Sequence, residues 1–293
     1  MSSITLLDGR KVSNELKDDL RRSVKKLPRK PRMSVILVGD NPASISYVNS
    51  KIKSCQEIGI DCSILRFNSQ ITESELINEI SLLNTDSKID GYIVQLPLPN
   101  HINKDKIISK IDPKKDIDGF HMENIGKMTL NLPTILPATP YGIMQLLRYY
   151  NIELEGKNCV VIGRSNIVGL PISIMMGHDD QCTVTSCHVN TQNLKEFTKM
   201  ADIIIVSVGI PYFLKEDMVK EDSVIIDVGI NKIDDINNPK GYKIVGDVDF
   251  DNVAPKASYI TPVPGGVGPM TIISLMKNLI HTTRLNIEKE YGH

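Results

Sequence analysis

The sequence predicts an α/β protein built from two open, parallel-sheet domains, the second of them Rossmann-like. Three observations lead there. Short apolar runs alternate with helix-length segments, which is the pattern of βαβ crossovers. The chain has 293 residues, more than a single hydrophobic core usually supports. The fourth apolar run, "NCVVIG", leads into "RSNIVGLP", a glycine turn followed by a helix start.

Residues 11–26 carry an amphipathic helical pattern. "MSVILVG" (33–39) is a continuous apolar run, as expected of a strand buried on both faces. From Asn41 to Ile60 the helical period returns, with Ile45, Val48, Ile52, Cys55 and Ile58 on one side and Gly59 placed to end it. "CSILRF" (62–67) is a second strand. Thr72 and Glu75 form a capping-box pattern opening a helix to about Leu83, and "GYIVQLPL" (91–98) is a third strand.

Thr139-Pro140 reads as an N-cap with proline at the first helical position, opening "YGIMQLLRYYN". Beyond it, "NCVVIG", "CTVTSC", "DIIIVSVG" and "SVIIDVGI" are four more strands, separated by helical segments. "KIDDINNPKGYKI" (232–244) is a polar excursion, a hairpin or loop. A long helix fills the last segment, from about Thr271. The division this predicts is a first domain of residues 1–140, to which the helix of 271–293 returns, and a second of 141–270.

Composition narrows the function classes. Thirty-four basic residues face 35 acidic ones, so the chain lacks the basic excess with which nucleic-acid binders neutralise phosphates. The five cysteines (Cys55, Cys62, Cys159, Cys182, Cys187) form no CxxC pair and read as reduced core thiols of a cytosol-like compartment. No metal site is expected, because Cys187 and His188 are adjacent and point to opposite faces of a strand. The N-terminal stretch has no apolar core of signal-peptide length, and no run spans a bilayer. The expectation is a cytoplasmic protein without membrane or nucleic-acid partners.

In open α/β sheets ligands bind beyond the carboxyl ends of the strands. Tyr47 and Lys51 follow the first strand, Gln95 ends the third, and Asp118 lies in the loop "KKDIDGF". Tyr47 and Lys51 are four residues apart and share a helix face. On spacing alone they fit a solvated lysine beside a half-buried tyrosine as well as a proton-handling pair. Gln95 fits either a site residue or a strand-end amide bonded to nearby backbone. In "VVIGRSNIVGLP" the turn of Gly163, Arg164 and Ser165 suits a pyrophosphate, although it is neither GxGxxG nor a P-loop. An arginine there could hold a 2′-phosphate. "ITPVPGGVGPMT" (260–271), with three prolines and three glycines, would form a shaped wall nearly free of side chains.

Taken together, "SYVNSKIKSCQEIGI", "GYIVQLPLP", "KDIDGFH", "GRSNIVGLP", "SVIIDVGIN" and "ITPVPGGVGPMT" resemble one family in order and spacing: the bifunctional methylenetetrahydrofolate dehydrogenase/methenyltetrahydrofolate cyclohydrolases. The resemblance implies NADP-dependent oxidation of 5,10-methylenetetrahydrofolate, then hydrolysis of the methenyl product to 10-formyltetrahydrofolate, in one active-site cleft between the domains. It implies that Lys51 is the key group of the hydrolysis, and that Tyr47, Gln95 and Asp118 orient it, the pterin and the water. It further implies that Leu96, Pro264, Gly265 and Gly268 line the folate site, and that Gly163, Arg164, Ser165 and Ile230 contact the cofactor. Tetrahydrofolate derivatives are the implied partners, and a homodimer the implied assembly.

Two positions depart from the family pattern. Ala138 stands in "PATP" where a cysteine is frequent. Val189 stands in "CHVNT" where many members have a serine that helps hold the 2′-phosphate, leaving Arg164 as the main argument for NADP and NAD as the alternative. Short-chain dehydrogenases also use YxxxK, but after the glycine turn; here the pair precedes it by more than 100 residues. The rival of another class is a catalytically silent folate- or nucleotide-binding protein, against which Tyr47, Lys51, Gln95 and Asp118 all stand present.

Overall fold

A computed structural model describes residues 4–178, 181–239 and 241–291. Residues 1–3 of the expected first domain, Lys240 of the polar excursion and residues 292–293 of the expected last helix lie outside the described residues.

The chain begins with strand β1 (Thr5–Leu6) and helix α1 (Gly9–Lys25), then alternates β2 (Arg32–Val38), α2 (Pro42–Ile58), β3 (Asp61–Phe67), α3 (Glu73–Thr85) and β4 (Gly91–Val94). Three helices follow, α4 (Lys104–Ile108), α5 (Met122–Thr129) and α6 (Ala138–Tyr149). The alternation resumes with β5 (Asn158–Ile162), α7 (Gly169–His178), β6 (Thr183–Cys187), α8 (Leu194–Met200), β7 (Ile203–Val206) and β8 (Ser223–Asp227). A hairpin of β9 (Asn231–Asp234) and β10 (Tyr242–Val245), the short α9 (Phe250–Val253), β11 (Ala257–Ile260) and α10 (Val267–Tyr291) complete it. The chain divides into two units: Asn14–Ala138 with the residues from Ile272 onward, and the residues to Ser13 with Thr139–Thr271.

The first unit holds a three-stranded parallel sheet in the order β3-β2-β4. Its central strand feeds two cores, because successive side chains point to opposite faces. Met33, Val35 and Leu37 pack with Val48, Cys55 and Ile58 of α2 and with Ile273, Leu275, Met276 and Leu279 of α10. Ile36 and Val38 pack on the other side with Leu76, Ile80 and Leu83 of α3 and with Ile107 of α4. Each fully buried aliphatic side chain contributes about 1.5–3 kcal/mol, so α10 is held here by its apolar stripe. The expected caps are present: Asn41 Oδ1 accepts the Ala43 and Ser44 N–H groups, Gly59 closes α2, and Thr72 with Glu75 forms the reciprocal box.

The second unit is a six-stranded sheet in the order β1-β11-β8-β7-β5-β6, every pair parallel. Strand order reverses at β5, whose neighbours are β6 and β7. Val160, Ile162, Ile204, Val206 and Ile225 form one core face with Ala201, Leu214 and Val248.

Three expectations need correction. The first residues do not belong with the domain that follows them, because Thr5 and Leu6 pair with Tyr259 and Ile260 at the edge of the six-stranded sheet. Thr139 is not an N-cap, since α6 already starts at Ala138, whose N–H donates to Asp118 O; Thr139 instead accepts from Thr271 Oγ1. The long helix begins at Val267, four residues early, because Pro269 falls in its first turn, where a missing N–H costs nothing.

One ion pair ties the first unit's ends together. Asp90 is fully buried and takes both guanidinium nitrogens of Arg29 at 2.7 and 2.8 Å, the Arg32 N–H at 2.9 Å and the Asn286 amide at 3.1 Å. Arg29→Ala would leave that carboxylate without its counter-charge, and should lower stability by about 3 kcal/mol in urea titration. An unchanged midpoint would contradict it.

Candidate functional site

In the first unit the site is built on α2. The asparagine cap fixes the helix start, and residues 44, 48, 51, 55 and 58 fall on its buried stripe. Lys51 therefore occupies a core position, with only 3% of its surface exposed. Its Nζ donates to Gln95 Oε1 at 3.1 Å and lies 4.8 Å from the centroid of the Tyr47 ring. Burial pushes the Lys51 amine below its ordinary value, while Asp118 and, more weakly, Cys55 and Cys62 pull it back up.

Gln95 is placed by the strand ends. Its N–H continues the β2–β4 ladder to Ile36 O at 2.9 Å, and its side-chain Nε2 donates to Leu96 O at 2.6 Å. That second bond turns Oε1 toward the lysine. The Leu96–Pro97 peptide bond is cis, and β4 ends at Val94, short of the expected 98.

Asp118 sits in a loop wound around another carboxylate, which the sequence reading missed. Asp116 is buried and accepts from the N–H groups of Gly119 (3.1 Å) and His121 (2.7 Å) and from Asn124 Nδ2 (3.1 Å). Asn278 of α10 donates to Ile117 O and Leu136 O on either side of the loop. The Asp118 carboxyl is pushed up to about 6, by burial first and by Asp116 as well, against the opposing pull of Lys51. Tyr47, Lys51, Gln95 and Asp118 thus form one electrostatic group.

In the second unit, the turn after β5 has its backbone packed tightly. A Cβ at Gly163 would come within 2.4 Å of Ser207 O, and one at Gly169 within 1.9 Å of Gly163 O. Arg164 and Ser165 are exposed. Ser165 Oγ accepts the N–H groups of Val168 (3.2 Å) and Gly169 (3.4 Å), so it caps α7 and leaves the Arg164 guanidinium as the charged group of the turn. This backbone cradle with its arginine fits the phosphates of a dinucleotide. Ile230, just past β8, is 63% exposed. Pro264 follows a cis peptide bond and is exposed, Gly265 is buried with its carbonyl accepting the Arg10 N–H, and Gly268 lies in the first turn of α10. Only the first part of "PVPGGVGPMT" is the non-helical wall that the sequence suggests. Among the described residues no group of three or more His, Cys, Asp or Glu side chains is placed to hold a metal ion.

Two family models cover most of the chain. Residues 7–118 match the tetrahydrofolate dehydrogenase/cyclohydrolase catalytic domain, and residues 137–287 match the NAD(P)-binding domain of the same family. The chain belongs to the tetrahydrofolate dehydrogenase/cyclohydrolase family. It is 53% identical over 291 residues to the bifunctional protein FolD of Flavobacterium johnsoniae, covering 97% of this chain and 99% of that one. The solved structure of the bifunctional FolD dehydrogenase/cyclohydrolase from Campylobacter jejuni superposes with a TM-score of 0.91 at 47% identity, covering 97% and 99% of the two chains. The Trypanosoma brucei dehydrogenase-cyclohydrolase, solved with NADP cofactor and an inhibitor, gives 0.92 at 33% identity, covering 100% of both. Within this tetrahydrofolate dehydrogenase/cyclohydrolase chain, the four polar residues of the first unit all fall in the segment matched as catalytic domain, and Gly163–Ser165 in the NAD(P)-binding one.

The raised Asp118 carboxyl makes stability depend on pH. It holds its proton more tightly folded than unfolded, so its ionisation destabilises the fold as pH rises from about 4 to about 6, and the full cost persists above that. Asp118→Asn should therefore be more stable than wild type by about 1–2 kcal/mol at pH 7 and equal to it near pH 3.5. Urea titrations at both pH values read this; a difference independent of pH would contradict the raised carboxyl.

Proposed function

We propose that this chain oxidises 5,10-methylenetetrahydrofolate with NADP+ and hydrolyses the methenyl product to 10-formyltetrahydrofolate. The observation that carries the reading is the buried Lys51 amine, held by Gln95 and set over the Tyr47 ring, within the field of Asp118.

The bound nicotinamide supplies the hydride acceptor for the first step. What the protein must add there is placement, because the methenyl product is a delocalised cation and its formation needs no acid or base at carbon. Gly163, Arg164, Ser165 and Ile230 are assigned to the cofactor, with Arg164 on the 2′-phosphate where Val189 offers no hydroxyl. Leu96, Pro264, Gly265 and Gly268 are assigned to the folate.

Hydrolysis adds water to the methenyl carbon and then breaks the bond from that carbon to N5, with one proton released overall. A lysine with a lowered pKa is suited to take the proton from the attacking water. Gln95 Oε1 fixes the direction of its nitrogen, and the Tyr47 ring stabilises its protonated form. The Asp118 carboxyl hydrogen-bonds the amide edge of the pterin, and its charge favours return of the proton to Lys51. Homodimerisation and a cytoplasmic location complete the reading; among the described residues no helix is long and apolar enough to cross a membrane.

Two experiments test it. Purified protein given methylenetetrahydrofolate should reduce NADP+ and carry the product on to the formyl compound; reduction of NAD+ alone would reassign the cofactor, and no reduction of either would favour a silent folate binder. Lys51→Met should lower hydrolysis of supplied methenyltetrahydrofolate by about 100-fold or more and the dehydrogenase by no more than about tenfold. Retained hydrolysis in that variant would remove Lys51 from the role.

A further inference from the structure

Two buried aspartates that the mechanism does not use tie together the loops at the carboxyl ends of β7 and β8. Asp247, fully buried just after β10, accepts through Oδ2 from the N–H groups of Val208 (2.7 Å) and Gly209 (2.9 Å), which follow β7. Through Oδ1 it accepts from Asn231 Nδ2 at 2.8 Å, at the start of β9 and one residue beyond Ile230. Its own N–H donates to Asp227 Oδ1 at 2.9 Å. Asp227, the last residue of β8, also takes the N–H groups of Gly229 and Val248 at 2.9 Å, and its own N–H donates to Thr261 Oγ1 at 2.7 Å.

The backbone at these points is as bare as the packing allows. A Cβ at Gly229 would lie 2.2 Å from Asp247 Oδ1, and one at Gly246 1.7 Å from Asp227 Oδ2. The same framework reaches the turn after β5, because Ser207 donates its N–H to Ile162 O and its carbonyl closes over Gly163. Gly163, Ser207–Gly209 and Gly229–Ile230 are therefore one connected rim. Its exposed residues are Gly209 and Ile230, and Ile210, next along the chain, is exposed beside them.

Strand order says what such a rim meets. A dinucleotide with its pyrophosphate on the turn after β5 spreads one nucleoside toward β6 and the other toward β7 and β8. We propose that Asp247 is a positioning residue for the dinucleotide, fixing the Val208–Gly209 and Gly229–Ile230 segments as the rim against which the nicotinamide half is held. This rests on the dehydrogenase reading above. Asp247 does not touch the cofactor; it acts by fixing backbone that does. Without its carboxylate the two loops lose their shared acceptor, and ordering them is charged against cofactor binding.

Fluorescence titration of the full-length protein with NADPH, alongside steady-state kinetics, tests this. Asp247→Ala should bind NADPH about tenfold more weakly and raise the KM for NADP+ to match, with the KM for methylenetetrahydrofolate unchanged. The exchange D247N/N231D, which keeps one carboxylate and one amide between the loops, should return the affinity to within about threefold of wild type. Should Asp247→Ala not fold, Asn231→Ala leaves the buried carboxylate in place and should still weaken NADPH binding by about threefold. Wild-type NADPH affinity in a folded Asp247→Ala or Asn231→Ala overturns the proposal, as does a parallel rise in both KM values. Failure of the wild-type protein itself to bind NADPH would instead remove the dinucleotide reading, and the proposal with it.

Discussion

An amine taken out of water is the constraint on which the first unit depends. A lone charge in an apolar interior costs several kcal/mol, roughly, and is tolerated only with partners or with a shifted pKa. Lys51 has both. Its proton is loosened by burial, its nitrogen has a carboxamide oxygen at 3.1 Å, a phenol ring lies at 4.8 Å, and a carboxyl acts on it through space. These partners come from α2, from the end of β4 and from the loop before α5. The Asn41 cap sets the helix phase, the Ile36–Gln95 bond sets the strand register, and Asp116 winds the loop. A shift in any of the three moves a partner away from the lysine.

Much of this was legible in the sequence, for local reasons. The apolar runs, the Thr72–Glu75 box and the Gly59 stop depend on residues close in the chain; the box and the stop stand where their chemistry puts them, while β4, β7 and β8 form within their apolar runs but end short of them. The burial of Lys51 was not decided by spacing: it stands three residues past Val48 and four before Cys55, inside the apolar stripe, yet the same spacing fitted a solvated lysine. The two short strands were not legible. Thr5–Leu6 is a strand because it finds Tyr259–Ile260 across some 250 residues, and Ala257–Ile260 because it lies between that strand and β8; nothing in their local composition records it.

The loop aspartates were missed for a different reason. Asp116 and Asp247 lie in turn-rich stretches and Asp227 at the carboxyl end of β8, where an acid reads by default as solvated. Their partners are backbone N–H groups, which every residue but proline carries, so no residue type marks the contact. The one available signal is glycine. "DVG" (227–229) and "GDV" (246–248) set each acid beside a glycine, and in the fold each glycine lies against the other segment's carboxylate.

How each buried carboxyl is compensated separates scaffold from site. Asp90 is driven upward by burial, yet hydrogen bonds and charge from Arg29, with help from Asn286 and Arg32, hold it below its ordinary range. Asp116 and Asp227 meet burial with several backbone donors but no cation, and both remain raised, Asp227 to about 7. Those two organise loops, where direction of hydrogen bonding matters more than charge. Asp118 differs from all three: its compensation is the field of a single buried lysine, whose own proton is loosened in turn. A carboxyl and an amine that each compensate the other incompletely respond to any third group brought beside them. A pterin edge or a polarised water is such a group: Asp90 has a guanidinium bonded directly to it, whereas Asp118 has only the field of Lys51, which a bound group can alter.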